Sequence, residues 1–176
     1  MSFSYTYCTT IDEVESSLQT LSEAKVLIVD CEGRELGNRH GALSTISIGT
    51  SKPSSEIFVY DAVQLDRSSL TKVLDLLSDH SIRKVMWDGR KDFSEIYHTY
   101  GSRIENVLDL QIAEVVSRPR RGELEFDRGR RIRSFLKPYR VFPDQKEYED
   151  IHIVAGMKRC LDEHGLAIGD GKDGGC

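Results

Sequence analysis

Two carboxylates, Asp30 and Glu32, close an almost continuous apolar run, Lys25-Val26-Leu27-Ile28-Val29-Asp30-Cys31-Glu32-Gly33. The run reads as a short strand, and in a strand the side chains at i and i+2 share a face. Two like charges held side by side need a cation between them, or one must keep a proton. An ordinary pair of acids at a strand end is the plain alternative. Against it stands the apolar strand, which places both at the carboxyl end of a buried element, where sites accumulate. A third acid, Asp92, ends Lys84-Val85-Met86-Trp87-Asp88-Gly89-Arg90-Lys91-Asp92, after a strand and at the opening of a helix. From there it can project over the same sheet end. Helix capping is open to Asp92 too, and it is the preferred reading of Asp88.

A second feature is basic. Between Arg118 and Arg140, eight Arg and one Lys stand against Glu123, Glu125 and Asp127, a balance of +6 in a chain of formal net charge −5. Arg128, Arg130, Arg131 and Arg133 are candidates for holding the phosphates of a single strand. Pairing with the three acids on a solvated surface is the competing reading. Phe126, Phe135 and Tyr139 are the stacking candidates of this segment, whereas Trp87 and Tyr97 read as core and His40 as a surface histidine.

The elements that must position these residues follow from periodicity. Thr10-Ile11-Asp12-Glu13 has the form of a capping box, and Ile11, Val14, Leu18 and Leu21 continue at helical spacing. Residues 43–49 and 56–60 read as strands, and the short loops joining them to the acidic strand predict an antiparallel meander. Leu70, Val73, Leu74 and Leu77 then mark a helix, residues 83–87 a strand, and Phe93, Ile96, Tyr97 and Tyr100 a helix that Gly101 closes. A brief strand over residues 106–108 precedes Asp109, the expected N-cap of a helix with Ile112, Ala113 and Val116. Ile151, Val154, Ala155 and Leu161 mark a last helix ending at Gly165, and residues 169–176 read as a glycine-rich flexible tail. The expected fold is α/β, a three-strand meander followed by alternating strands and helices, with the acidic strand near the centre of a mixed sheet flanked by helices.

At 176 residues the chain suits one domain, with residues 1–117 as core and 118–176 as an Arg-rich segment, a helix and a tail of the same domain. Cys8, Cys31, Cys160 and Cys176 lack close CxxC spacing and read as free thiols. The N-terminus shows no signal pattern and no apolar run reaches membrane-spanning length, so a cytoplasmic or nuclear protein without a membrane partner is expected. The acidic net charge argues against a nucleic-acid binder working by bulk positive charge.

Val29-Asp30-Cys31-Glu32-Gly33, the Gly-Ala-Leu-Ser-x-Ile-Ser-Ile-Gly strand, the segment ending at Asp92, and Val107-Leu108-Asp109-Leu110-Gln111-Ile112-Ala113 together resemble the DEDD-type 3′–5′ exonuclease domain. The likeness points to the ribonuclease D branch, near the Egalitarian-like and fungal exonuclease-domain proteins. It implies a ribonuclease H-like fold and two-metal hydrolysis of a terminal phosphodiester. It further implies Asp30, Glu32 and Asp92 as ligands of Mg²⁺ or Mn²⁺, and the 3′ end of single-stranded RNA or DNA as partner. Asp109 matches an acid that orders the following helix. The family's last motif, Tyr or His with Asp four residues later, has no match: no Tyr or His here has Asp at that spacing. Tyr148-Glu149-Asp150 has a spacing of two, and Asp170 and Asp173 lie in the tail. Two readings therefore stand, a metal-dependent exonuclease of impaired activity and a non-cutting nucleic-acid-binding or adaptor module on the same fold.

Overall fold

The computed structural model describes residues 5–51, 55–137 and 151–166, and the chain divides into two units, Met1–Leu110 and Gln111–Cys176. The first is built on a six-stranded sheet of β1 (Tyr5–Cys8), β2 (Val26–Arg34), β3 (Ala42–Thr50), β4 (Ile57–Asp61), β5 (Arg83–Met86) and β6 (Val107–Asp109). Its order is β1-β4-β3-β2-β5-β6, so the acidic strand β2 is central, as its sequence predicts. β2, β3 and β4 form the antiparallel meander, while β5 joins β2, β6 joins β5 and β1 joins β4 in parallel. Strand β1 is unforeseen: Tyr5 and Tyr7 of this edge strand are exposed and only Cys8 is buried, so no apolar alternation announces it.

Three helices complete this unit: α1 (Ile11–Ser22), α2 (Arg67–Ser78) and α3 (Arg90–Tyr100). The capping box of α1 forms, with the Glu13 N–H donating to Thr10 and the Thr10 N–H to Glu13. Leu70, Val73, Leu74 and Leu77 of α2 are all buried. They share one core with Val14 and Leu21 of α1, Ile96 of α3, and Leu27, Val29 and Cys31 of β2. Ile28, Asp30 and Glu32 take the other face of β2, and Ile28 is 51% exposed. The strand is thus buried on one face rather than on both, because alternation sends every second side chain out of the core.

In the second unit, α4 (Leu110–Ser117) leads into a 3₁₀ turn (Pro119–Arg121), α5 (Glu125–Leu136) and α6 (Met157–Glu163). The helix expected from Ile151 onward begins only at Met157. Arg118, 2% exposed, binds both Glu114 carboxylate oxygens and gives Nη1 to the Ile153 carbonyl at 2.8 Å. Gln111 donates to the Ala155 carbonyl at 3.0 Å, and Ile132, Ala155 and Cys160 are the buried apolar side chains among the described residues of this unit. Cys8, Cys31 and Cys160 are free thiols, and no helix among the described residues is long and apolar enough to cross a membrane. Tyr139, residues 148–150 and the glycine-rich tail lie outside the described residues.

Candidate active site

Strand register decides where the acids stand. Val26, Leu27 and Ile28 pair with Arg83, Lys84 and Val85 of β5, whereas Asp30 lies opposite Ser47 and Glu32 opposite Thr45 of β3. β5 ends at Met86, and the chain turns through Trp87-Asp88-Gly89 into α3, whose first turn carries Asp92. The carboxyl halves of two parallel strands and a helix N-terminus therefore converge at one end of the sheet. Asp30 and Glu32 open to solvent, while Asp92 is buried at 7% exposure.

The Asp92 carboxyl feels the other acids. Burial, then the negative charges of Asp30, Glu32 and Asp88, push the Asp92 carboxyl up to about 7. The protein around Asp30 holds its carboxyl above the usual range as well. Cys31 lies between them in sequence, and burial together with Asp92, Asp30 and Glu32 raises its thiol so far that it is no nucleophile. The sequence-predicted acids are thus brought into one electrostatic cluster. Among the described residues, no three His, Cys, Asp or Glu side chains stand at ion-holding spacing. The donor chemistry does fit a hard divalent cation: three carboxylates, one of them partly protonated near neutral pH and open to displacement of that proton by a cation.

The surroundings fix these acids. Register slips between Glu32 and Gly33, a bulge that re-aims the strand just beyond the second carboxylate. A Cβ on Gly33 would stand 2.1 Å from the Ala42 carbonyl oxygen, so only glycine fits there. The loop after β2 is tied to α3 by Glu95, 2% exposed, which accepts the Gly37 N–H at 3.1 Å and the Thr99 hydroxyl at 2.8 Å. Asp88 does not cap α3, whose N-cap is Gly89; it accepts from Arg90 at 2.5 Å and gives its own N–H to Asp109 at 3.2 Å. Asp109 thereby ties the end of β6 to the turn before Asp92.

Tyr97 is not core. It is 40% exposed, stacks on Phe93 at 5.9 Å between ring centroids, and carries the Arg103 guanidinium over its face at 5.7 Å. Phe93 and Tyr97 sit four residues apart on the outward stripe of α3, while Ile96 faces the core. Phe93 also helps line a hollow of about 470 Å³ with Met86, Ile104, Val107 and Asp109. The sequence places Phe93 and Tyr97 on an apolar helix face but does not show that they stack in solvent, and it gives Glu95 no role. The one available signal for Glu95 was its place three residues after Asp92, next to the buried Ile96.

The arginines divide. Arg128 is buried, pairs with Glu125 and donates to the Ile151 carbonyl at 3.0 Å. Arg131 pairs with Glu123 at 3.1 Å and Glu163 at 2.9 Å. Arg130 pairs with Asp127 at 2.8 Å but stays 70% exposed, and the exposed Arg133 donates to the Gly129 carbonyl at 3.3 Å. Phe126 and Phe135 are exposed.

Comparison with known proteins adds the following. The sequence profile of the 3′–5′ exonuclease family matches residues 5–129. The mouse piRNA biogenesis protein EXD1 is 29% identical over 113 residues, 61% of this chain and 19% of that protein. The RNase D of Trypanosoma brucei is 25% identical and superimposes with a TM-score of 0.57, covering 63% of this chain and 39% of the other. That enzyme has also been solved in complex with RNA U12. The Escherichia coli RNase D, at 21% identity and a TM-score of 0.55, covers 84% of this chain and 36% of its own and shares the fold. The chain thus spans less than half the length of each of these relatives.

Proposed function

The chain belongs to the 3′–5′ exonuclease family, and from that premise we propose that it removes nucleotides from the 3′ end of a single-stranded nucleic acid by metal-assisted hydrolysis at Asp30, Glu32 and Asp92. The observation that carries the reading is the Asp92 carboxyl, pushed up to about 7 by burial and then by the charges of Asp30, Glu32 and Asp88. Exonucleases of this family use divalent metal ions. Mg²⁺ or Mn²⁺ held by these residues would supply charge neutralisation at the scissile phosphate and an acidified water. The chain's own residues do the rest. Asp30 and Glu32 would present their oxygens from β2, Asp92 would give up its proton on joining the ligand set, and Asp109 holds the turn that leads to Asp92. Of the two nucleic acids, RNA is favoured, on the ground that the T. brucei RNase D has been solved with RNA U12. Arg130 and Arg133, exposed on α5, are assigned to strand phosphates, and Arg128 and Arg131 to holding that helix in place. The protein is assigned to the cytoplasm or nucleus, where such strands occur.

One sequence observation favours a second reading, a module that binds a strand without cutting it: no Tyr or His has Asp four residues later. A single assay separates the two. A 5′-labelled 20-nucleotide RNA is expected to shorten stepwise with Mn²⁺ and not with chelator. Asp30→Ala combined with Glu32→Ala is expected to lower the rate by roughly 10²-fold or more. Strand binding with no Mn²⁺-dependent ladder from the parent protein decides for the module, and cleavage unchanged in the double variant removes the assigned site.

A further inference from the structure

The second unit holds a hollow of about 620 Å³ that the carboxylate site does not use, lined by Arg118, Arg121, Arg130, Arg131 and Arg159 against Glu123, Asp127 and Glu163. Arg118 is fully engaged with Glu114 and the Ile153 carbonyl, and Arg131 gives Nε to Glu123 and both terminal nitrogens to Glu163. The other three are only partly engaged. Arg121 spends one terminal nitrogen on Glu114 at 2.7 Å, Arg130 one on Asp127 at 2.8 Å, and Arg159 its Nε on Glu163 at 2.9 Å. The remaining N–H groups of these three have no acceptor among the described residues. The lining acids, by contrast, already accept from arginines, and Glu163 is held down at about 2 by Arg131 and Arg159, so it stays ionised.

A hollow ringed by unspent planar donors, with its carboxylates neutralised, selects an anion that takes two hydrogen bonds per group. Phosphate oxygens match that fork, and the size suits a mononucleotide or longer rather than a lone ion. We propose that Arg121, Arg130 and Arg159 form a binding site for the backbone phosphates of a single-stranded nucleic acid. The proposal rests on the nucleic-acid reading above and adds two residues, Arg121 and Arg159, that the run from Arg128 to Arg133 does not contain. Arg159 reaches the hollow from α6, 29 positions beyond Arg130, which sequence spacing alone could not pair with it.

The test is fluorescence anisotropy of a labelled 12-nucleotide RNA with the full chain in chelator, at several salt concentrations. Arg121→Gln with Arg159→Gln is expected to weaken binding about tenfold and to flatten the dependence of log K on log salt by roughly 1.4, two contacts at about 0.7 each. Arg120→Gln with Lys137→Gln removes the same charge from exposed residues outside the hollow and is expected to change affinity less than threefold. Arg121→Lys with Arg159→Lys keeps the charge and loses the fork, with a severalfold loss expected, and thermal melting confirms that each variant is folded. Equal losses from the two Gln pairs, or none from either, overturn the site in favour of diffuse charge. Failure here is distinguishable from failure of the hydrolytic reading. Parent-like binding by the Arg121, Arg159 pair alongside a Mn²⁺-dependent ladder removes the hollow alone. Selective loss of binding in that pair, with no ladder from the parent protein, removes the hydrolysis alone.

Discussion

With its carboxyl pushed up to about 7, Asp92 is roughly half protonated near neutrality. The sign of the effect on stability follows. An unfolded Asp releases its proton near pH 4, so between about pH 4 and 7 the folded chain binds more protons than the unfolded one. Stability therefore falls as pH rises through that window, and the full penalty is present above it. The metal-free protein is expected to melt at lower temperature at pH 8 than at pH 5.5. Asp92→Asn is expected to raise Tm at pH 8 and flatten the profile, because it removes the charge that burial and the Asp30 and Glu32 carboxylates oppose. Adding Mn²⁺ to the parent protein at pH 8 is expected to raise Tm as well and, near pH 7, to release protons detectable in weak buffer. A pH profile for Asp92→Asn that matches the parent would assign the slope to another group. The spacing of Asp30 and Glu32 showed that such a cluster was available. How deeply Asp92 sits did not follow from sequence, because it depends on how α3 packs onto the sheet.

Element by element, the loop between β2 and β3 matters most to the site, because it is fastened to the helix that carries Asp92. The buried Glu95 carboxylate accepts the Gly37 N–H, and a Cβ on Gly41 would stand 2.7 Å from its Oε2 and 2.5 Å from the Glu35 carbonyl oxygen. Glu95→Ala leaves that N–H without its acceptor, a loss of about 1–3 kcal/mol. A drop in Tm with a weaker Mn²⁺ affinity is expected, since Glu95 ties the loop that follows Glu32 to the helix that carries Asp92, and Glu95→Gln, which keeps an acceptor oxygen, is expected to recover most of both. Loss of Tm with Mn²⁺ affinity unchanged would reduce Glu95 to a purely structural role. Elements with a clean period were readable: the capping box of α1, the buried stripe of α2, the meander. Those set by partners were not. The edge strand β1 is held by pairing with β4 and by the Tyr7 hydroxyl on Asp61 at 2.5 Å, with its tyrosines turned outward. Phe93 and Tyr97 have the spacing of a core stripe, yet they stack on each other in solvent.

For the molecule as a whole, the acids of the candidate site all belong to the first unit and the arginine-lined hollow to the second, so the proposed metal binding and the proposed strand binding are separable by one well-chosen substitution. Arg118 is the keystone of the second unit, its side chain 2% exposed and its Glu114 partner 3%. Burial makes the pair costly to break, because either partner left alone is an uncompensated charge in a dry place, typically about 3–5 kcal/mol. The Glu114–Arg118 spacing of four was visible in the sequence, but nothing there distinguished it from a surface pair worth about 0.3–0.5 kcal/mol. Arg118→Ala is therefore expected to loosen residues 111–166 in hydrogen exchange and weaken single-strand binding at least about tenfold. Mn²⁺ binding by Asp30, Glu32 and Asp92 is expected to stay within about twofold of the parent, since all three acids belong to the first unit. Equal losses of metal and strand binding would show that the carboxylate cluster depends on the second unit, and the one-unit account of the site would give way.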